Sequence, residues 1–171
     1  GMSRTFQITN LFPELSVLEN VRIAIQAKGG GNNRVLGGRA LLARTEAAAR
    51  EALGFVNLED RAAAPASTLP HGDQRLLEIA MALAQEPELL LLDEPTQGLA
   101  SEETAATAAL VRRISRERRV TILLVEHDMD VVFNVADRIS VLHFGGLIAE
   151  GSPAEIRRNV EVQKAYLGGA D

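Results

Sequence analysis

Two carboxylates directly follow one of the most apolar runs of the chain. The run Leu89–Leu92 is followed at once by Asp93 and Glu94. An unbroken apolar run is typical of a strand buried on both faces of a parallel sheet, and α/β proteins bind ligands at the carboxyl edge of such sheets. There one carboxylate can hold Mg²⁺, usually through water, while the other takes a proton from attacking water. The alternative is a buried strand that ends in an acidic turn without chemistry.

A histidine follows a second apolar run in the same way. The run is Val120–Val125, and His127 lies just beyond it. We expect this imidazole at the same edge of the sheet, where it can hydrogen-bond a phosphoryl oxygen. A lone histidine after a strand is more often structural.

A glycine-containing turn precedes a helical pattern in the middle of the chain. The segment 69–75 reads Leu-Pro-His-Gly-Asp-Gln-Arg, and apolar residues recur at helical spacing up to residue 85. A helix N-terminus offers free N–H groups to anions. Taken alone the segment is a weak signal, and an ordinary helix start explains it equally well.

The elements that would position these residues are helices first and then strands alternating with helices. That order predicts a parallel α/β sheet in the second half of the chain. Gly54 is expected to end a helix, Ser101 to cap one, and Ser152 with Glu155 to form a capping box ahead of another. The expected helices lie at about 11–25, 45–53, 73–85, 101–119, 128–136 and from 153, and the expected strands at 89–92, 120–125, 139–144 and 147–149.

The composition excludes several classes of function. The 171 residues are 46% apolar, which fits a globular domain or a large part of one, and the net charge of −5 argues against a nucleic-acid binder. There is no cysteine, which is compatible with the cytoplasm, and no apolar run approaches the roughly 20 residues of a membrane span. A role at a membrane would therefore require a partner.

Taken together and in this order, the motifs resemble the ATP-binding subunits of ABC transporters. The segment 69–74 resembles the signature motif, 89–94 the Walker B motif, His127 the switch histidine, and 4–7 (RTFQ) the Q-loop. The runs LFPELSVLENV, HGDQRLLEIAMALA, EHDMDVV, AEGSPAEI and AYLGG resemble branched-chain amino acid importers within that family.

The resemblance implies a P-loop NTPase fold of the α/β class, with ATP and Mg²⁺ as ligands. It makes Glu94 the general base, His127 the contact to the γ-phosphate, and Asp93 with Gln7 the metal-side residues. It further implies a second ABC ATPase subunit, membrane permease subunits and a cytoplasmic, peripheral location at the inner face of the membrane. The residues that would face the ATP bound to the second subunit are Leu69, His71, Gly72, Asp73 and Gln74.

The resemblance also suggests a division of the chain and shows three departures. Residues 11–88 would form the helical subdomain that touches the permease, and residues 1–10 and 89–171 the remaining α/β core. Pro70 replaces the usual serine of the signature and offers neither hydroxyl nor N–H, and Asp73 replaces a glutamine. The segment 98–101 lacks the common aspartate.

A phosphate-binding loop of the form G-x-x-x-x-G-K-[ST] does not occur in the 171 residues, because neither Lys28 nor Lys164 has that context. In the family this loop lies ahead of the Q-loop, so we expect a fragment whose Met2 is an internal methionine or whose gene is truncated. We expect an ATPase subunit of an importer that is inactive alone; the alternative is a non-catalytic module that acts through protein contacts. The resemblance places a missing central strand between 120–125 and 139–144, which would leave strand edges that favour self-association, strand swapping or local rearrangement.

Overall fold

The computed structural model describes residues 1–5, 11–28 and 38–166, which form helices around one parallel sheet and one hairpin. The helices are α1 (Val17–Lys28), α2 (Gly38–Phe55), α3 (His71–Leu83), α4 (Ser101–Arg118), α5 (Met129–Val135), α6 (Pro153–Arg158) and α7 (Val160–Tyr166), with 3₁₀ turns at Glu59–Arg61 and Ala66–Thr68. The strands are β1 (Met2–Arg4), β2 (Leu89–Asp93), β3 (Thr121–Val125), β4 (Ile139–His143) and β5 (Gly146–Gly151). Within these ranges no helix has both the length and the apolar content needed to cross a bilayer.

The parallel sheet has the strand order β1-β2-β3. Its register pairs Met2 with Leu89 and Leu89 with Thr121, and at the other end Asp93 pairs with Val125. The ends of β2 and β3 therefore meet at one edge, as the sequence predicts. The sequence did not predict β1, because three residues are too few to show a periodicity.

Residues 139–144 form the predicted strand, but their expected place in the parallel sheet, beyond a missing central strand, was wrong among the described strands. β4 pairs antiparallel with β5 and forms a separate two-stranded sheet. The turn between them places Phe144 at φ 47° and Gly145 at φ 79°, two successive left-handed residues of the kind that tight hairpins require. An apolar run has the same sequence pattern whether the neighbouring strand is parallel or antiparallel. The sequence of residues 139–144 therefore could not decide the direction of pairing.

One hydrophobic core joins the helical half to the sheet. Leu90 and Leu92 of β2 point into it and are 0% and 1% exposed, and they are clustered with buried residues of α1 to α4. A second, smaller core lies between the hairpin and the C-terminal helices. Its buried members are Ile139, Val141, Ile156 and Val162. The site residues at the end of β2 are thus supported by the larger core.

Burial on both faces, expected for the apolar strands, holds only in part. In β2 the side chains of Leu89 and Leu91 are partly exposed, and in β3 Leu123 and Val125 are 57% and 54% exposed. Among the described residues β3 pairs only with β2, so its other edge is free. The free edge agrees with the expectation behind self-association, which itself remains a prediction.

Two helix ends differ from the sequence prediction. α2 continues through Gly54, and the left-handed residue that follows it is Asn57, at φ 60°. α4 has Ala100 as its N-cap instead of Ser101, and the carboxylate of Glu103 accepts a hydrogen bond from the Ala100 N–H at 2.9 Å. This bond is the glutamate half of a capping box, and the other half, an N-cap side-chain oxygen that accepts from the N3 N–H, cannot form with alanine at the N-cap.

The capping box ahead of α6 is confirmed. The Ser152 hydroxyl accepts from the Glu155 N–H at 3.4 Å, and the Glu155 carboxylate accepts from the Ser152 N–H at 2.8 Å. The Ser152 N–H first, and then the Ser152 hydroxyl, which donates to the same carboxylate oxygen at 2.7 Å, hold the pKa of Glu155 below its ordinary value.

Asn20 looks like a polar interruption in the sequence of α1, but it is fully buried. Its Oδ1 accepts from the Phe12 N–H at 2.8 Å, and its Nδ2 donates to the carbonyls of Phe12 and Ser16 at 3.1 and 3.0 Å. One side chain therefore supplies hydrogen bonds to backbone groups of the loop ahead of α1. Without these bonds, burial of the backbone groups would lower the stability of the fold.

We expect Asn20→Ala to lower the free energy of unfolding by about 1–3 kcal/mol, because buried backbone groups lose their partner. Urea denaturation measures the change, and Gln26→Ala on the exposed side of α1 is the control, with an expected effect within about 0.5 kcal/mol. Equal effects of the two substitutions would show that the Asn20 network does not form in solution.

Candidate functional site

Glu94 and His127 are in contact at the carboxyl edge of the parallel sheet. His127 Nδ1 lies 3.1 Å from Glu94 Oε1. Glu94 is 22% exposed and His127 is 65% exposed at the side chain. With the carboxylate ionised, Nδ1 must carry the hydrogen and donate it, which leaves Nε2 on the opposite side of an accessible ring. The sequence predicts that these residues share an edge, and the structure places them in a hydrogen bond.

Asp93 is the last residue of β2 and pairs with a cation from the neighbouring strand. Arg4 Nη2 donates to Asp93 Oδ2 at 3.1 Å, and the two side chains are 51% and 31% exposed. At this exposure the ion pair contributes little to stability because water and salt screen it. Its consequence is local, since Arg4 supplies positive charge to the carboxylate next to Glu94.

The turn that follows β2 is held in an uncommon backbone conformation. Glu94 has φ 45°, in the left-handed region, and its N–H donates to the Val125 carbonyl at 2.9 Å. The Gln97 N–H donates to the Glu94 carbonyl at 3.2 Å, and Gly98 then has φ 76°. A non-glycine residue at such a φ stores strain that the surrounding structure must hold, and such strain is concentrated at functional sites.

The start of α3 gathers the other predicted binding residues. His71 is the first residue of the helix, Pro70 is its N-cap, and no side chain caps the free N–H groups. Gln74 Nε2 donates to the Leu69 carbonyl at 2.9 Å, and Asp73 lies in the first turn. All five residues predicted from the signature motif therefore share one helix start.

Gly72 lies close to a side chain of α4. A Cβ at this position would lie 2.8 Å from Glu103 Oε1, the same carboxylate that holds the Ala100 N–H, and 3.6 Å from Leu99. The His71 ring lies against Gly98 in the turn after β2, with Nε2 3.7 Å from a Cβ built there. The segment 94–100 thus connects the Glu94–His127 pair with the start of α3.

Gln7, predicted to lie on the metal side, is outside the described residues. The sequence missed three residues that the structure adds to this edge: Arg4, Thr96 and Glu126. Arg4 was assigned only to the Q-loop segment, and Thr96 lies four residues beyond the apolar run 89–92. Glu126 directly follows the apolar run 120–125, the same signal that identified Asp93.

The residues fit Mg²⁺ only together with phosphate oxygens. In the described ranges no three acidic, histidine or cysteine side chains converge on a point where an ion could be held by protein alone. Magnesium is commonly bound through one or two carboxylates, with waters and substrate phosphates completing the octahedron. Asp93 at an open sheet edge suits that arrangement, with Arg4 as the cation that now occupies its Oδ2.

Comparison with known proteins gives matches along the whole chain. The ABC transporter family model matches residues 1–97, and the model of the branched-chain amino acid ATP-binding cassette transporter matches residues 147–171. The high-affinity branched-chain amino acid transport ATP-binding protein LivG of Salmonella typhimurium is 43% identical over 99% of this chain and 69% of its own length. The corresponding protein BraF of Pseudomonas aeruginosa is 40% identical over the same shares.

Solved structures agree on the fold. A dimeric post-hydrolysis state of an ATP-binding cassette bound to ADP and Pi superposes with a TM-score of 0.73 and 29% identity over 89% of this chain. An inward-facing ABC transporter gives a TM-score of 0.83 at 23% identity over 98% of it. The chain spans 62% and 64% of the lengths of these two structures. It has the α/β fold of ABC ATPases and belongs to the ABC transporter family, among the ATP-binding proteins of branched-chain amino acid transport.

Proposed function

We propose that this chain is the greater part of an ATP-hydrolysing subunit of an importer for branched-chain amino acids or related compounds. The observation that carries the proposal is the contact between Glu94 and His127 beside Asp93 at the carboxyl edge of the sheet. The relatives named for branched-chain amino acid transport support the choice of substrate class.

In this proposal Glu94 is the general base. A carboxylate oriented by the His127 N–H is placed to take a proton from water that attacks a phosphoryl group. His127 contacts the γ-phosphate through Nε2, the ring nitrogen that faces away from Glu94. The 65% exposure of this side chain supports such a contact, because the described residues leave much of the ring accessible.

Asp93 and Gln7 would hold Mg²⁺ in this proposal. Bound Mg²⁺ neutralises charge on the phosphoryl oxygens during transfer. Asp93 can take this role when the Arg4 guanidinium releases its Oδ2 or when its other oxygen is used.

The start of α3 faces the ATP of a second ABC ATPase subunit in the proposal, through Leu69, His71, Gly72, Asp73 and Gln74. The uncapped N–H groups of the helix support this role. Asp73 and the Glu103 carboxylate beside Gly72 oppose it electrostatically, so contact with a phosphate requires both to point away.

The partners follow from the same assignment. Residues 11–88 form the subdomain that contacts membrane permease subunits, residues 1–10 and 89–171 form the core, and the chain lies at the cytoplasmic face of the membrane. Self-association of the chain by itself is proposed as well, supported by the exposed apolar face of Leu123 and Val125 and the free edge of β3 among the described strands.

A non-catalytic module is the second candidate. It is favoured by the lack of G-x-x-x-x-G-K-[ST] in these 171 residues and by Pro70 and Asp73 in the segment that resembles the signature motif. Of the two lysines, Lys28 forms an ion pair with Glu86, at the opposite end of β2 from Glu94. In this candidate the chain binds its partners and hydrolyses nothing.

Calorimetry of the chain alone with Mg–ATP and the DNA sequence ahead of the Met2 codon test the proposal together. Without a phosphate-binding loop the chain lacks several charge-assisted hydrogen bonds of about 1.5–3 kcal/mol each, so we expect no binding in the micromolar range. An in-frame extension that encodes the loop supports the ATPase subunit. A stop codon directly ahead of Met2 supports the non-catalytic module. A micromolar affinity of the chain alone for Mg–ATP would contradict the expected loss of ATP binding.

A further inference from the structure

The carboxylate of Glu126 connects the ends of β2 and β3. Its Oε1 accepts from the Thr96 N–H at 3.0 Å and from the Thr96 hydroxyl at 2.5 Å. Thr96 is only 7% exposed, so the contact is sheltered from water. Two donors of one residue converge on a single oxygen, which fixes the direction of the Glu126 side chain.

This contact lies directly beside the Glu94–His127 pair. Residues 94 and 96 of the turn after β2 bind residues 127 and 126 of the turn after β3, and the Glu94 N–H also holds the Val125 carbonyl. Because Glu126 and His127 are neighbours in the chain, the bond to Thr96 limits where the His127 ring can lie. The left-handed φ of Glu94 needs such support from its surroundings.

A purely structural explanation does not fully account for Glu126. Its Oε2 is buried and has no hydrogen-bond partner in the described part of the chain. A buried polar atom without a partner lowers the stability of the fold, so the joining of two turns does not by itself explain a carboxylate at this position.

We propose that Glu126 is a positioning residue for the proposed ATPase site: by holding Thr96 it keeps His127 in hydrogen-bond contact with Glu94. The consequence for ATP hydrolysis rests on the proposed function. The contact itself does not, and it can be measured without nucleotide.

The experiment is a long-range ¹H–¹⁵N spectrum of the histidine ring nitrogens, recorded under alkaline conditions that keep the imidazoles neutral. The chain has three histidines, so His127 is assigned by its loss in His127→Gln. A hydrogen bond from Nδ1 to a carboxylate selects the Nδ1–H tautomer, whereas a ring without that bond samples both. Glu94→Ala defines the shift of the unpaired ring.

We expect Glu126→Ala to move the His127 ring shifts at least halfway from the wild-type values to those of Glu94→Ala. Glu126→Gln keeps an oxygen for both Thr96 donors, so its His127 shifts should stay near wild type. Glu103→Ala is the matched control, since it removes a carboxylate that holds a backbone N–H of the same turn without touching residues 126 and 127.

Thr96→Val, which removes only the hydroxyl, serves as the second variant if Glu126→Ala does not fold, and its shift should be in the same direction but smaller. The proposal is overturned if Glu126→Ala, or Thr96→Val in its place, leaves His127 at its wild-type shifts. It is overturned as well if Glu103→Ala moves His127 equally, or if Glu94→Ala has no effect. A failure of ATP hydrolysis in any variant would concern the proposed function alone.

Discussion

Glu94→Gln is expected to lower kcat for ATP hydrolysis at least about 100-fold in a protein that joins this chain to a phosphate-binding loop. Glutamine keeps the size of the side chain and an oxygen that can accept from His127 Nδ1, but it cannot take a proton from water. KM for ATP should change little, because the carboxylate acts on the water and not on binding. Steady-state hydrolysis with and without the substitution measures the effect.

Glu88→Gln is the matched control for this experiment. Glu88 precedes the same strand at its other end and is 92% exposed, so its loss should leave kcat unchanged. If Glu94→Gln retained kcat within about threefold of the parent protein, Glu94 would not be the base.

Leu92→Ala is expected to lower the free energy of unfolding by about 2–5 kcal/mol, because it leaves a cavity directly beneath the site. Leu92 is 1% exposed and immediately precedes Asp93. Leu123→Ala makes the same chemical change on the neighbouring strand, where the side chain is 57% exposed, and should cost less than about 1 kcal/mol. Urea denaturation of both variants gives the comparison.

Equal losses at Leu92 and Leu123 would contradict the exposed face of β3. If the loss at Leu123 also grew with protein concentration, a second copy would be covering that face, as the proposed self-association requires.

The candidate site was predictable in outline because its residues follow strands. Asp93, Glu94 and His127 lie within two residues after apolar runs, and the edge of a parallel sheet brings such residues together wherever the intervening helices lie. The start of α3 was predictable from its glycine and the helical spacing behind it. These signals are local in sequence, so they can be recognised without knowledge of the fold.

The features that the sequence did not predict depend on contacts between residues that are distant in the chain. The antiparallel partner of β4 follows from a left-handed turn at Phe144 and Gly145, and phenylalanine gives little sign of that conformation. Asn20 reads as a surface residue until the loop that it satisfies is placed beside it. The bond between Thr96 and Glu126 spans 30 residues, and no spacing in the sequence indicates it.

A nucleotide–metal site beside Asp93 and Glu94 can be detected by the paramagnetic broadening of amide signals when Mn²⁺ and ATP are added to the ¹⁵N-labelled chain. Mn²⁺ takes the oxygen ligands that Mg²⁺ prefers, and its broadening falls steeply with distance, so it reports even weak occupancy. We predict that the signals of Asp93, Glu94 and His127 lose intensity first, and that Asp93→Asn reduces the loss. Broadening that spares these three residues while affecting others would contradict a nucleotide–metal site at this edge of the sheet.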